Sequence, residues 1–346
     1  MKKTLGILLI GILILSTLLV GGCGPAKREL NVYNWGDYID ESVLKSFESK
    51  YQIKVNYDTF TTNEDMYVKL KSGGSHYDVV VPSDYMIKRM IDENMLVKPD
   101  FANIPNYKYI GSEFKNLGYD PKNEYSIPYM WGTVGILYNK KMVSGKPDSW
   151  NILWDKKYRK QILMLDSQRD SIGIALKMLG YSLNTKNPAE LEKAKLALID
   201  QKPLVLAYVV DEVKDKMISG EAALAVVWSG DAAYCMRENP DLNYFIPKEG
   251  SNLWFDGMVI PKDSQHIKDA ELFLNYMCDT EIAYKNADYI GYATPHSEVV
   301  RKLPTEITRN RSLYPKADDL KNSEVFVDLG SQIKDFDRVW TEVKSK

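Results

Sequence analysis

The apolar positions in the first hundred residues switch between strand spacing and helix spacing. Alternating or continuous apolar runs predict three strands, at Leu30–Asn34, Tyr51–Tyr57 and Asp78–Val81. Apolar residues at helical spacing predict helices after the cap Asp40, from Asn63, and from Ser83-Asp84 to about Met95. This order of elements predicts a doubly wound α/β unit, in which functional groups lie at the carboxyl ends of the strands.

The same alternation resumes after the loop-rich residues 99–124. Further strands are predicted at 129–136, 161–165, 205–207, 223–228 and 254–260. Further helices are predicted at 149–154, after Asp166, after Pro188, in a segment that ends at Ile218, at 270–277 and at 281–287. A last helix is predicted at the C-terminus, where Ile333, Phe336, Trp340 and Val343 share a buried face. The glycines in the strand at 129–136 favour a crossing between two lobes.

The pattern therefore predicts two α/β lobes joined by crossing strands. A chain of 346 residues is long enough for two lobes with separate hydrophobic cores. The predicted boundaries are 30–131 and 256–300 for lobe 1, and 132–255 and 301–346 for lobe 2.

The N-terminus has the pattern of an export signal. A basic start, Met1-Lys2-Lys3, precedes the apolar run Leu5–Val20 and the small residues that end at Cys23. This ending resembles the bacterial lipoprotein box, which implies a signal peptide at 1–22, a diacylated Cys23 and a polar tether at 23–29. A retained anchor helix is the alternative, although the run is short for a membrane span. The expected location is the extracytoplasmic face of the cell membrane, held by lipid.

Composition narrows the possible partners. The net charge is −2 with 27% charged residues, which argues against nucleic acid or an anionic membrane surface as a partner. Tyrosine (23) far exceeds phenylalanine (9), so rings with a polar group are favoured. No nucleotide-binding glycine motif is present, and His76, His266 and His296 lack ligands at metal-binding spacing, so neither cofactor nor metal is expected.

Two cysteines remain beyond Cys23. Cys235 falls in lobe 2 and Cys278 in lobe 1, and a disulfide between them would oppose hinge motion. Both have apolar neighbours in predicted helices, which suits small buried thiols. The sequence therefore predicts two free, poorly reactive thiols.

The segment Leu253–Met258 carries the clearest candidate chemistry. Asp256 follows two large rings, and a buried carboxylate is costly unless it is paired. Such an arrangement suits a cleft that receives a cation, because the acid supplies charge and the rings supply π-faces. The alternative is a solvated aspartate at a strand edge. The pairing of acid and ring recurs where Trp35 and Tyr38 flank Asp37, where Tyr85 follows Ser83-Asp84, and where Trp228 precedes Asp231.

Several motifs from Leu30 onward resemble the polyamine-binding proteins of ABC importers, the spermidine- and putrescine-binding type. They are Tyr33-Asn34-Trp35, Met66-Tyr67, Asp78–Ser83, Tyr125–Tyr129, Trp131-Gly132, Trp254 with Asp256, Ile290–Tyr292 and Leu313–Pro315. The resemblance implies a two-lobed periplasmic-binding-protein type II fold, each lobe a mostly parallel sheet flanked by helices, with the ligand in the interlobe cleft.

The resemblance also implies which residues bind the ligand. The family's cage of rings and acids falls on Trp35, Asp37, Tyr38, Ser83, Tyr85, Asp170, Trp228, Trp254, Asp256 and Tyr292, and Asp231 adds an acid typical of putrescine-preferring members. Two further departures are Ser167, where the spermidine type carries an acid, and Phe326, where a glutamine aligns. These departures leave the choice between putrescine and spermidine open.

The expected function is capture of a polyamine and its delivery to the permease of an ABC importer, by a monomer that is not an enzyme. Two alternatives use the same residues. A sugar-binding lipoprotein would also need stacked rings, and a glycoside hydrolase would use Asp231 and Asp256 as an acid/base pair.

Overall fold

The computed structural model describes residues 28–73 and 76–346. The predicted signal peptide and Cys23 lie outside the described residues, and the first strand already begins at Arg28, within the predicted tether. Within the described ranges, no helix combines the length and hydropathy needed to cross a bilayer.

The structure is α/β, with ten strands in one continuous sheet of the described residues. The strands are β1 (Arg28–Trp35), β2 (Ile53–Phe60), β3 (Val79–Val80), β4 (Leu96–Val97), β5 (Ser126–Asn139), β6 (Ile162–Leu165), β7 (Val205–Val209), β8 (Leu224–Trp228), β9 (Leu242–Phe245) and β10 (Leu253–Pro261).

Helices cover the faces of the sheet. They are α1 (Glu41–Tyr51), α2 (Asn63–Lys71), α3 (Asp84–Asp92), α4 (Gln168–Met178), α5 (Pro188–Gln201), α6 (Val213–Ile218), α7 (Ser229–Glu238), α8 (Ile267–Met277), α9 (Thr280–Ile290), α10 (Ser297–Lys302), α11 (Thr305–Thr308) and α12 (Ile333–Ser345). Short 3-10 helices occupy several connections, including Phe101–Asn103, Pro105–Tyr109, Ser112–Phe114 and Trp150–Trp154.

The sheet consists of two parallel parts joined by two antiparallel strands. Its order is β2-β1-β3-β10-β5-β8-β6-β7, with β4 also paired to β10 and β9 to β5. β1 runs parallel to β2 and β3, and β6 runs parallel to β7 and β8. The predicted fold class is confirmed, because each parallel part is a doubly wound unit and the cleft lies between them.

β5 is the strand that connects the two parts. It covers the predicted strand at 129–136, and all 14 of its residues are buried. Its first half pairs with β10 up to Thr133, and from Val134 onward it pairs with β8 instead. The change of partner in the middle of one strand fixes both parts of the sheet to the same backbone.

Most predicted elements form near the predicted positions, with differences at their ends. α1 includes Tyr51, which was assigned to the following strand, and its side-chain cap is Asp40 as predicted. α3 ends at Asp92 instead of Met95, because the chain turns at Asn94 with a positive φ of 56°. Residues 150–154 form a 3-10 helix, capped by Ser149 as expected.

The C-terminal helix closes the second part of the molecule. α12 buries Phe336, Val339 and Val343 against α4 and α5. Trp340, predicted to be buried, is only half-buried because it faces the cleft. Val339 takes a central position that the predicted spacing left out.

Both remaining cysteines are free and buried, as predicted. Burial raises the pKa of Cys235 and of Cys278 to about 12, so little reactive thiolate exists at neutral pH.

We expect both thiols to be inert in the folded protein and fully reactive after unfolding. Burial must be removed before either sulfur meets a reagent. Thiol titration of unreduced protein, with and without denaturant, measures this. A requirement for reductant before either thiol reacts would contradict it.

Candidate functional site

A cavity of about 810 Å³ lies between the two parts of the sheet. It is lined by the carboxyl ends of parallel strands and by the helices that follow them, as expected for a doubly wound fold. The structure brings all eleven predicted site residues to this cavity: Trp35, Asp37, Tyr38, Ser83, Tyr85, Asp170, Trp228, Asp231, Trp254, Asp256 and Tyr292.

Asp256 lies at a β-bulge, where the pairing of β10 with β5 shifts between Asp256 and Gly257. Bulges of this kind redirect side chains beside functional sites. The carboxylate is buried, its Oδ2 accepts a hydrogen bond from the Tyr38 hydroxyl at 2.8 Å, and its Oδ1 has no partner. Burial raises the pKa of Asp256 to about 7, although the nearby hydroxyls of Ser83 and Tyr38 oppose the rise.

A second buried acid, Asp84, holds this strand in place. Its carboxylate accepts the backbone N–H of Phe255 at 3.0 Å and that of Tyr85 at 2.6 Å. Asp84 thereby ties β10 to the start of α3. Burial raises its pKa well above the ordinary value, and the two backbone donors partly offset that effect. We assign Asp84 a positioning role, since its oxygens are already engaged by the backbone.

Aromatic rings surround Asp256, and they pack edge-to-face against one another. The Tyr292 ring meets the Trp254 ring at 5.2 Å and the Tyr38 ring at 5.6 Å between centroids. Two glycines make this arrangement possible. A Cβ on Gly230 would lie 1.9 Å from the Tyr292 ring, and a Cβ on Gly132 would lie 2.6 Å from the Trp254 ring.

One end of the cleft contains Asp231 at the start of α7. Its Oδ2 accepts a hydrogen bond from the Tyr292 hydroxyl at 3.1 Å. Burial raises the pKa of Asp231 to about 6, although the positive charge of Lys214 opposes the rise. Asp37 lies at the same end but is exposed, and its carboxylate pairs with the Lys214 ammonium at 2.8 Å.

Asp170 and Ser167 lie towards the other end, at the start of α4. Ser167 caps this helix and donates to the Asp170 carboxylate at 2.7 Å, so the serine supports an acid instead of supplying one. Asn252 donates to the other Asp170 oxygen at 3.2 Å. Burial raises the pKa of Asp170.

Tyr85 closes this second end together with Phe326. The two rings meet edge-to-face at 6.0 Å, and the Arg169 guanidinium lies 4.3 Å from the Phe326 ring. The Tyr85 hydroxyl donates to Glu64 at 3.0 Å and accepts from Asn63 at 3.1 Å. Phe326 therefore covers a buried cation at the position where a glutamine was aligned.

Several lining residues were not predicted to contact a ligand. They are Asn63, Glu64, Gln168, Arg169, Asp211, Lys214 and Asn252. Asp211 follows the end of β7, so the rule about carboxyl ends was sufficient to find it. Lys214 lies one helical turn further on, where neither a motif nor a strand end marks it.

The cleft offers unpaired acceptors to a positively charged donor. Asp256 Oδ1, Asn252 Oδ1 and Gln168 Oε1 are buried and have no hydrogen-bond partner. Twelve acidic side chains line the cavity, whereas Arg169 and Lys214 are its basic ones among the described residues. In residues 28–73 and 76–346, no group of three or more His, Cys, Asp or Glu side chains is arranged so that it could hold a metal ion. Chemically, the site is suited to bind an organic cation.

The fold and the cleft define a two-lobed solute-binding protein, and sequence comparison agrees. Residues 42–313 match the family of bacterial extracellular solute-binding proteins, and the chain belongs to this family. Its relatives are the solute-binding proteins of ABC transporters, which are not enzymes. This chain therefore binds a solute and is not an enzyme, and the glycoside hydrolase alternative is set aside.

Individual relatives narrow the comparison. The spermidine/putrescine-binding periplasmic protein 1 of Haemophilus influenzae is 34% identical, with 92% of this chain and 90% of that protein covered. A putative spermidine/putrescine ABC transporter from Listeria monocytogenes, whose structure is solved, is 46% identical in sequence to this chain. The two structures align with a TM-score of 0.89 over 92% of this chain and 99% of that chain. The Streptococcus pneumoniae spermidine/putrescine-binding protein PotD is 41% identical, with a TM-score of 0.78 and the same coverage.

Proposed function

We propose that this chain captures a polyamine, putrescine or spermidine, between its two lobes and delivers it to the permease of an ABC importer. The observation that carries the proposal is the Asp256 carboxylate, which is buried among rings with one oxygen unpaired. The names of the relatives point to the same ligand class. A sugar would leave this acid without a cation, and the excess of lining acids disfavours a neutral ligand.

The energetics are adequate for such a ligand. A charge-assisted hydrogen bond contributes roughly 1.5–3 kcal/mol, and a desolvated cation–π contact adds up to about 2 kcal/mol. Two ammonium groups held this way, with methylenes against Trp254 and Trp35, reach the ~8 kcal/mol of a micromolar complex after ordering costs.

The proposed lobes are residues 30–131 with 256–300, and residues 132–255 with 301–346. The eleven predicted site residues are divided between them, so a ligand that contacts both sets favours closure of the cleft. We propose that the protein acts as a monomer, because this mechanism requires one chain.

Calorimetric titration with putrescine, spermidine and spermine tests the proposed function, with glucose and maltose as neutral controls. Saturable binding of at least one polyamine, with no sugar binding, is the expected result. Sugar binding without polyamine binding would overturn the proposal.

We expect Asp256→Asn to weaken polyamine binding by at least ~2 kcal/mol, because it removes a charged acceptor from a desolvated site. The same titration measures the change. Asp263→Asn is the matched control, since Asp263 is exposed and lies outside the cleft. Equal dissociation constants for wild type and Asp256→Asn at low salt would remove Asp256 from the site.

Polyamine affinity should fall as the pH is lowered. The raised pKa of Asp256, about 7, means that this acid is protonated in the empty cleft below that pH and must release its proton to hold an ammonium. Amines remain charged to about pH 9, so the affinity should drop roughly tenfold per pH unit below about pH 6. Calorimetry in two buffers of different ionisation enthalpy should detect proton release. A flat profile from pH 5 to pH 8 would contradict this assignment.

We further propose that Cys23 carries the lipid that holds the protein on the extracytoplasmic face of the membrane. Cys23→Ser should abolish incorporation of labelled fatty acid and leave unprocessed precursor. Persistence of the label in this variant would show that the anchor lies elsewhere.

A further inference from the structure

Lys214 places a positive charge inside the cleft at the end near Asp231. Its ammonium donates to the Asp37 carboxylate at 2.8 Å, and its side chain is only 19% exposed. Lys214 belongs to α6 of the second lobe, whereas Asp37 follows β1 of the first. The ion pair therefore crosses the cleft.

Three acids surround this ammonium. Burial lowers the pKa of Lys214, but the hydrogen bond to Asp37 and the charges of Asp231 and Asp211 outweigh burial, so the pKa is raised. Asp211 also faces the turn that carries Asp37. A Cβ added to Gly36, in that turn, would lie 3.2 Å from Asp211 Oδ2. This group of acids resembles a site for a ligand ammonium, but a side chain of the protein already occupies it.

We propose that Lys214 is a resident ammonium that occupies the position beyond Asp231 and thereby makes the cleft select a short diamine over a longer polyamine. The proposal rests on the proposed polyamine function and adds a residue that determines its specificity.

The selection is electrostatic. The cavity of about 810 Å³ is large enough for a longer chain, so volume does not limit ligand length. A third ammonium that extends past Asp231 would approach Lys214 and compete for Asp37 and Asp211. Like charges at close range repel strongly in a partly desolvated site. Lys214 is part of the chain, so it stays at the site and a ligand cannot displace it into solution.

The alternative role for this ion pair is to hold the two lobes together in the absence of ligand. Asp37 is 64% exposed on its side chain, and an ion pair with one partner in solvent contributes little to stability. Charge competition therefore accounts better for a lysine in this position than a lobe-to-lobe latch does.

The test is calorimetric titration of wild type and Lys214→Met with putrescine and spermidine. We expect the variant to bind spermidine more tightly relative to putrescine by about tenfold or more, because three acids become available to the extra ammonium. Lys214→Arg keeps the charge and should keep the wild-type ratio. Lys214→Gln repeats the neutral substitution with a polar side chain, in case the methionine disturbs folding.

Lys216→Met is the matched control. Lys216 lies in the same helix but pairs with Glu221 outside the cleft, so its loss changes net charge equally and should leave the ratio unchanged. Asp37→Asn separates the two roles of the ion pair. Under charge competition only the neutral variants at Lys214 shift the ratio towards spermidine, and Asp37→Asn does not. Equal weakening of both ligands by Lys214→Met and Asp37→Asn would identify a latch and overturn the proposal.

The proposed function and this inference fail in different ways. If wild type binds neither polyamine, the proposed function is wrong. If wild type binds a polyamine and the ratio is the same in both neutral variants at Lys214, only the assignment of Lys214 is wrong.

Discussion

The buried carboxylate of Asp256 sets the arrangement of the cleft. Desolvation of an acid is unfavourable unless a cation or several donors compensate, and here the Tyr38 hydroxyl compensates in part while one oxygen stays open. The bulge in β10 directs the carboxylate into the cavity, Asp84 fixes the strand on which it lies, and the Tyr292 and Trp254 rings exclude water around it. Each of these features lowers stability or restricts which residues the sequence can carry. The largest cost is the desolvation of Asp256, and a bound ammonium relieves it.

Much of this site was predictable because it follows from topology. The rule that functional groups lie at the carboxyl ends of parallel strands places Trp35, Ser83 and Trp228 at one crevice, and the structure shows them there. The resemblance to polyamine-binding proteins added Asp170, in the first turn of α4 after β6, and Tyr292, which does not lie at a strand end. Their roles in binding stay predictions until a ligand is titrated.

The features that were not predicted depend on local backbone conformation or on contacts between distant segments. α3 ends early because Asn94 adopts a left-handed conformation, which the apolar spacing up to Met95 does not reveal. Lys214 becomes part of the cleft only when α6 faces the turn after β1, 177 residues away along the chain. Ser167, by contrast, acts locally, because it caps α4 and donates to the Asp170 carboxylate three residues further on. The ion pair of Lys214 requires the assembled fold, because no spacing rule connects residues so far apart in the sequence.

The position of β10 in the sheet has a consequence for how the protein is made. β10 lies between β3 and β5, so these two strands stay apart until residues 253–261 have left the ribosome. Until then β3 and β5 each have an unpaired edge, and pairing between strands so distant in sequence is generally slow. This order suits an exported chain, because a protein that completes its fold late can still pass through a secretion channel in an unfolded state.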